Sequence, residues 1–158
     1  TAIGYFAKVS ASNKIRLGNN AVTLPEGQVP FSNVSDERFK YDIKNNVPGL
    51  DFIKKLKPVT YYMDTEKMGS FLKTGTITNS KSTTSSNKQM NTGFLAQEVA
   101  KTAAELGYSF DGVHAPTNDK DYYSIAYSQF VMPLVKAVQE QQVMIETLEK
   151  RIEELEKK

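Results

Sequence analysis

The sequence predicts an α+β fold that begins with short strands, continues as a compact helix-and-strand domain and ends in a long helix. Three observations predict it: β-leaning runs before residue 30, amphipathic helices interleaved with strands after residue 35, and a heptad repeat near the C-terminus. We divide the chain into residues 1–34, 35–125 and 126–158. Because the chain starts in mid-pattern at "TAIGYF", we interpret it as the C-terminal part of a longer protein.

Composition excludes several classes of function. Hydrophobic residues make up 39% and charged residues 24%, which is typical of a soluble folded domain. The net charge of +2 gives no reason to expect a nucleic-acid or membrane partner, and no apolar run approaches the length of a membrane span. The absence of cysteine excludes disulfides, thiolate zinc sites and cysteine catalysis. The acids show no metal-ligand spacing and no Gly-rich phosphate loop is present, so we expect neither metal nor cofactor.

The first 30 residues read as three short strands. The runs "YFAKV", "KIRLG" and "AVTL" favour β-structure and are separated by the turn-forming "SASN" and "GNN". Strands of about five residues bury little surface by themselves. This segment is therefore predicted to need a partner, either upstream repeats or identical chains.

The middle of the chain predicts a helix, a strand and a second helix. "LDFIKKLK" places Leu50, Ile53 and Leu56 three apart and ends at Pro58, before the β-leaning "VTYYM". The segment 73–92 has 16 Ser, Thr, Asn or Lys among 20 residues, which predicts a flexible loop or an extended hairpin. "GFLAQEVAKTAAELG" predicts a helix that ends at Gly107. Its apolar face comprises Leu95, Val99, Ala103 and Leu106.

The C-terminal region carries a heptad seam with alternating spacings of four and three. β-branched residues occupy one core position and Leu the other, and a single Gln interrupts them. The pattern predicts an oligomeric coiled coil; two strands are favoured by Val/Ile with Leu, although the Gln could specify another number. The alternative is a single amphipathic helix packed on its own domain. The seam comprises Val131, Leu134, Val138, Gln141, Ile145, Leu148, Ile152 and Leu155.

Ser35, at the head of "SDERFKYDI", has two interpretations. It can be a helix N-cap, which the residues alone favour, although Arg38 stands where a capping box has Glu or Gln. It can instead be a nucleophile activated by a lysine amine, with Lys40 the nearest candidate and Lys44 the second. Five residues of a regular helix rise about 7.5 Å, so Ser35 must then precede the helix with Lys40 folding back, unless the lysine comes from another chain. The only histidine, His114, is predicted to lie in a loop.

Four segments carry a family resemblance. "SDERFKYDI", "LDFIKKLKPVTYYM", "GFLAQEVA" and "YYSIAYSQFVMPLVKAVQEQQVMIETLEKRIEEL" occur in the order found in a known module. They resemble the C-terminal intramolecular chaperone domain of phage endosialidases and tail spikes, a self-cleaving peptidase domain also found in a membrane-anchored myelin transcription factor. The resemblance spans about residues 33–155, and residues 1–30 look like the strand-rich end of a trimeric fibre stalk.

The resemblance implies a homotrimer held by a parallel trimeric coiled coil. Its domain would help three chains fold an upstream fibre or spike segment and would then cut the bond between Val34 and Ser35. Ser35 would be the nucleophile and Lys40 the general base. Asp36, at the acidic or amide position after the serine, would shape the turn, and Arg38 would support the site. The implied setting is a phage tail or a bacterial surface.

Two other functions remain open at this level. The first is a trimerisation and attachment module that does not cleave, in which Ser35 is only a cap. The second is a carbohydrate or receptor binder that uses the segment 73–92, for which no residue gives positive support.

Overall fold

A computed structural model of the chain describes residues 1–19, 22, 24–73 and 89–157. The chain divides into two compact units that interleave along the sequence. The first comprises Thr1–Asp42, Thr60–Thr92 and Pro116–Tyr122, and the second Ile43–Val59, Gly93–Ala115 and Tyr123–Lys158. The mixture of helices and small sheets agrees with the predicted fold class. The three-part division drawn from the sequence stays a prediction.

In the first unit, two very short strands form a parallel pair. Strands β1 (Ala2–Ile3) and β2 (Arg16–Leu17) pair Ala2 with Arg16 and Ile3 with Leu17. The strand predicted at "YFAKV" is wrong, since this run forms no strand and Phe6 has a positive φ of 52°. Strand β2 lies within the predicted "KIRLG" but has only two residues. The third predicted strand, "AVTL", falls partly outside the described residues; Val22 and Leu24 lie in no strand.

The first unit also holds a 3₁₀-helix at Glu37–Phe39 and helix α2 at Thr65–Phe71. Strand β3 (Val59–Tyr62) pairs with strand β4 (Met90–Gly93), which confirms the strand predicted from "VTYYM". Most of the predicted loop or hairpin at 73–92 lies outside the described residues, which resume at residue 89.

The second unit contains helices α1 (Leu50–Ile53), α3 (Ala96–Glu105) and α4 (Val131–Glu156), with a 3₁₀-helix at Tyr127–Phe130 before α4. Strands β5 (Val113–His114) and β6 (Ser124–Ile125) pair antiparallel. His114 is thus in a strand, not in the predicted loop. All three helices of this unit lie in segments for which the sequence predicted a helix.

Helix α3 ends as its sequence predicts. Gly107 has a φ of +62°, its N–H donates to the carbonyl of Ala104 at 3.0 Å, and the N–H of Tyr108 donates to Ala103 at 2.9 Å. This pair of bonds is a Schellman motif, which glycine permits without strain. The prediction is wrong for one residue of the apolar face: Leu95 precedes the helix and is 48% exposed.

The core of the second unit is built around Phe52, whose exposure is 0%. Its ring lies 5.3 Å from the ring of Tyr108 and 5.1 Å from that of Phe110. The sequence pattern instead selected Leu50, Ile53 and Leu56, which are only half-buried. A helix of one turn points its side chains in all directions, so helical spacing does not identify its buried residue. The buried cluster is Phe52, Val99, Ala103 and Phe130.

Helix α4 is anchored at its N-terminal end to helix α1. Pro133 and Ala137 are buried, and Gly49 lies so close that a Cβ there would be 2.8 Å from the Ala137 nitrogen. The Leu50 N–H donates to Oε2 of Glu140 at 2.8 Å. Because α1 has no side-chain cap of its own, the Glu140 carboxylate satisfies one of its free N–H groups.

The heptad seam lies on other positions of α4 and is about half exposed in the described part of the chain. Its seven apolar residues are between 46% and 62% exposed, and Gln141 is exposed as well. The residues that do pack on the second unit, Pro133 and Ala137, are not members of the seam. The alternative, a helix packed on its own domain, thus applies to the N-terminal end of α4, and the oligomeric coiled coil stays a prediction.

Candidate active site at Ser35 and Lys40

The segment around Ser35 contains a single 3₁₀ turn instead of the predicted regular helix. The N–H groups of Phe39 and Lys40 donate to the carbonyls of Asp36 and Glu37 at 3.1 and 3.0 Å. Lys40 then turns to extended backbone, with φ −107° and ψ 140°. No residue of Glu37–Phe39 is buried, so no packing extends the turn into a longer helix.

Asp36, and not Ser35, is the N-cap of this turn. Its Oδ1 accepts from the backbone N–H of Arg38 at 2.9 Å. The interpretation of Ser35 as an ordinary helix cap is therefore wrong in this structure. The cap lies one residue later than the sequence predicts, because the Asp36 carboxylate accepts the hydrogen bond from the Arg38 N–H.

The Arg38 guanidinium forms a bidentate ion pair with the same carboxylate. Its Nε and Nη2 lie 3.0 and 2.6 Å from Oδ1 and Oδ2 of Asp36. The Arg38 side chain, and then its backbone N–H, lower the pKa of Asp36 below the usual value; the same bond raises the pKa of Arg38. The two charges thus fix each other and the shape of the turn.

The turn brings Ser35 and Lys40 together. Ser35 stands just before it and Lys40 just after it, and Nζ of Lys40 donates to Oγ of Ser35 at 2.8 Å. Both residues belong to one chain, which is the fold-back geometry that the sequence required of a Ser–Lys pair. A hydroxyl and an amine at this distance can act as nucleophile and base once the amine is neutral.

The surroundings of the pair are open and apolar. Ser35 and Lys40 are exposed, and several large apolar side chains beside them stand free in solvent. Burial of an amine favours its neutral form, whereas water favours the charged form. Ser35 Oγ and Lys40 Nζ are therefore close enough to react, but no described part of the chain shields them from water. The free side chains and their exposures are Phe31 97%, Val34 84%, Phe39 71%, Tyr41 93% and Ile43 66%.

The described part of the chain offers no group of His, Asp and Glu side chains placed to hold a metal ion. None of its helices is both long and apolar enough to cross a membrane. The Ser35–Lys40 pair is thus the arrangement with recognisable chemistry among the residues that the sequence singled out.

A family comparison matches part of the chain. Residues 35–108 fit the model of a protein family described as the chaperone of endosialidase. The match confirms the resemblance found in the sequence, starts at Ser35 and runs to the residue after the Gly107 turn. It is shorter than the resemblance, which extends to residue 155, and leaves helix α4 outside. No curated protein and no solved structure matches the chain.

Proposed function

We propose that this chain is an intramolecular chaperone that drives homotrimerisation and folding of an upstream fibre or spike segment of its own polypeptide. It then releases itself by serine autoproteolysis between Val34 and Ser35. The family match supports the chaperone role. The observation that carries the cleavage is the 2.8 Å contact of Lys40 Nζ with Ser35 Oγ, at the first residue of the matched segment. A phage tail is the setting that the family favours.

The cut proceeds in two steps. The neutral amine of Lys40 takes the proton of Ser35 Oγ, which attacks the carbonyl carbon of Val34; the C–N bond then breaks and the Ser35 nitrogen takes a proton to become the new amino terminus. The Val34 acyl group is left as an ester on Oγ. Water hydrolyses that ester, giving a Val34 carboxylate and restoring the Ser35 hydroxyl.

The exposed seam of α4 supports the trimer. Seven apolar side chains in heptad positions are between 46% and 62% exposed in the described part of the chain, and three parallel copies would bury them against one another. Pairing of extended chains is slow because distant contacts must form first. A C-terminal coiled coil raises the local concentration of the upstream strands. Its later removal leaves a fibre that cannot easily unfold by the reverse path.

Exposure of the pair supports a cut that waits for assembly. Water around an amine favours its charged form, and only the neutral form can take a proton. Neighbouring copies that covered the apolar side chains around Ser35 and Lys40 would remove this water. Cleavage would thereby report that assembly has taken place.

Mass spectrometry of the expressed chain tests the cleavage. We expect a fragment that begins at Ser35, absent from Ser35→Ala and Lys40→Met chains. Ser32→Ala and Lys44→Met are matched controls that should still cut, since these residues share the exposed segment. An intact wild-type chain in an assembled trimer would instead support the trimerisation and attachment module that does not cleave.

A further inference from the structure

A buried carboxylate in the first unit holds the segment that precedes the proposed cut. The side chain of Asp121 is 0% exposed, and its Oδ1 lies 2.6 Å from Nζ of Lys14. The same oxygen accepts from Oγ of Ser10 at 2.9 Å. Asp121 thus binds two side chains more than 100 residues earlier in the chain.

The next residue extends this contact. The ring of Tyr122 lies under Nζ of Lys14 at 4.4 Å from its centroid, and Nη1 of Arg16 donates to the Tyr122 hydroxyl at 3.0 Å. The ammonium group of Lys14 therefore has a carboxylate on one side and an aromatic face on another, a combination that selects a cation. Arg16 lies in strand β2, so the contact also fixes the strand pair.

Hydrogen bonds within the loop 116–122 fix the position of the Asp121 carboxylate. The Asp121 N–H donates to the Asn118 carbonyl at 3.0 Å, and the Lys120 N–H donates to Oδ1 of Asn118 at 2.9 Å. Thr117 directs its N–H and its hydroxyl at the second carboxylate oxygen, both at 3.4 Å. This turn keeps the carboxylate in a fixed place and out of solvent.

The proposed scissile bond separates the two sides of this contact in the sequence. Ser10, Lys14 and Arg16 precede Val34, whereas Asp121 and Tyr122 follow Ser35. We propose that Asp121 and Tyr122 form the binding site by which the chaperone domain holds a basic stretch of the upstream stalk, residues 10–16, and continues to hold it after the backbone is cut. The second half of this statement rests on the proposed function. Cleavage and release are then separate events.

The buried pair makes release slow. Departure of Lys14 would break an ion pair of the buried Asp121 carboxylate, and breaking a buried ion pair is strongly unfavourable. The non-covalent contact therefore outlasts the peptide bond until the loop 116–122 opens or the assembly rearranges.

The test separates holding from self-cleavage. In a Ser35→Ala chain, a recognition sequence for an added site-specific protease is placed in the exposed stretch 26–32 and cut with that protease. Native mass spectrometry after dilution then follows the separation of the two fragments. We expect the fragments to stay together, and Asp121→Asn or Lys14→Met to speed separation by about tenfold or more. Asp119→Asn, an exposed carboxylate two residues away, is the matched control and should change nothing.

Each outcome decides one point. Lys14→Met lies in the stalk segment and retains the aliphatic stem, so it reports on the contact even if Asp121→Asn does not fold. Fragments that separate equally fast with and without these substitutions would overturn the proposed site. Failure of the unmodified chain to cut itself would contradict the proposed function and leave this site intact, because the added protease supplies the cut.

Discussion

Ser35 and Lys40 have different parts in the proposed cut, and a conservative change separates them. Lys40→Arg keeps the positive charge and the reach to Ser35 Oγ, but a guanidinium stays protonated and cannot act as a base. We expect the rate of the cut to fall by about 10²–10⁴-fold, the usual contribution of a general base. Lys44→Arg is the control and should cut normally. Rates are measured by mass spectrometry of the Ser35 fragment, and an unchanged rate in Lys40→Arg would exclude Lys40 as the base.

Asp36 gives a prediction about pH. Its pKa is lowered by the Arg38 side chain and then by the Arg38 N–H, so the carboxylate stabilises the turn above its ordinary pKa of about 3.9. That stabilisation is lost only as pH falls through the still lower folded value. Between pH 5 and 8 Asp36 stays ionised, so a titration of the cut rate in that range belongs to another group.

The matching variant is Asp36→Asn, which retains a cap oxygen but loses the ion pair with Arg38. We expect a several-fold slower cut, because the turn that positions Ser35 and Lys40 loses its ion pair. The rate of the cut at a fixed pH between 5 and 8 measures this effect. A rate equal to that of the wild type would contradict the role of the Asp36–Arg38 pair in shaping the site.

At the scale of the element, the junction of α1 and α4 is tightly packed at Gly49. A Cβ there would lie 2.8 Å from the backbone nitrogen of Ala137, which cannot move independently of its helix. We expect Gly49→Ala to destabilise the fold by about 1–3 kcal/mol and to lower Tm by several degrees. Gly27→Ala is the control, since its Cβ would contact only the Val29 carbonyl at 3.5 Å. Equal Tm values for the two variants, from thermal unfolding, would contradict this packing.

The exposed seam predicts the effect of a charge in its middle. Leu148 is 59% exposed in the single chain, so Leu148→Lys should leave the second unit folded. In an assembled coil the same ammonium would be buried without a partner, and we expect the trimer to dissociate. Lys150→Glu, on the outer face of the helix, is the matched control. Sedimentation velocity measures the mass, and an unchanged trimer in Leu148→Lys would remove the seam from the interface.

Regular elements were predictable from the sequence because their signals are local. The apolar spacing and the terminal glycine gave α3, the heptads gave α4, and the β-branched run gave β3. The helix expected after Ser35 is only a 3₁₀ turn, because caps start a helix but packing must sustain it. The residues alone offered Ser35 and Lys40 as a candidate pair, because their contact spans only five residues, and the resemblance implied their roles.

Contacts between distant residues were not predictable. Asp121 and Lys14 are 107 residues apart, and nothing in "NDKDYYS" distinguishes the buried carboxylate from its exposed neighbours. The hydrogen bond from the Leu50 N–H to the Glu140 carboxylate was equally unpredictable. In the sequence, Glu140 is one of several charged residues on a polar helix face. Such side chains acquire their roles only when the fold brings them to a partner.

At the scale of the whole molecule, three features act in sequence in the proposed cycle. The uncovered seam of α4 brings copies together, the exposed Ser35–Lys40 pair becomes competent when it is covered, and the Asp121 site keeps the cut stalk in place. The first two features are incomplete in a solitary chain, whereas the Asp121 contact is already made there. The rate of the cut is therefore expected to depend on the concentration of the protein.

The most direct test of this account is the cut rate of newly synthesised chain as a function of concentration, with oligomeric mass measured in the same samples. Chain made by cell-free synthesis and diluted before assembly should cut at Val34–Ser35 only as trimer appears, and Leu148→Lys should stay monomeric and uncut. Full-rate cleavage in a sedimenting monomer would contradict the dependence of the chemistry on assembly.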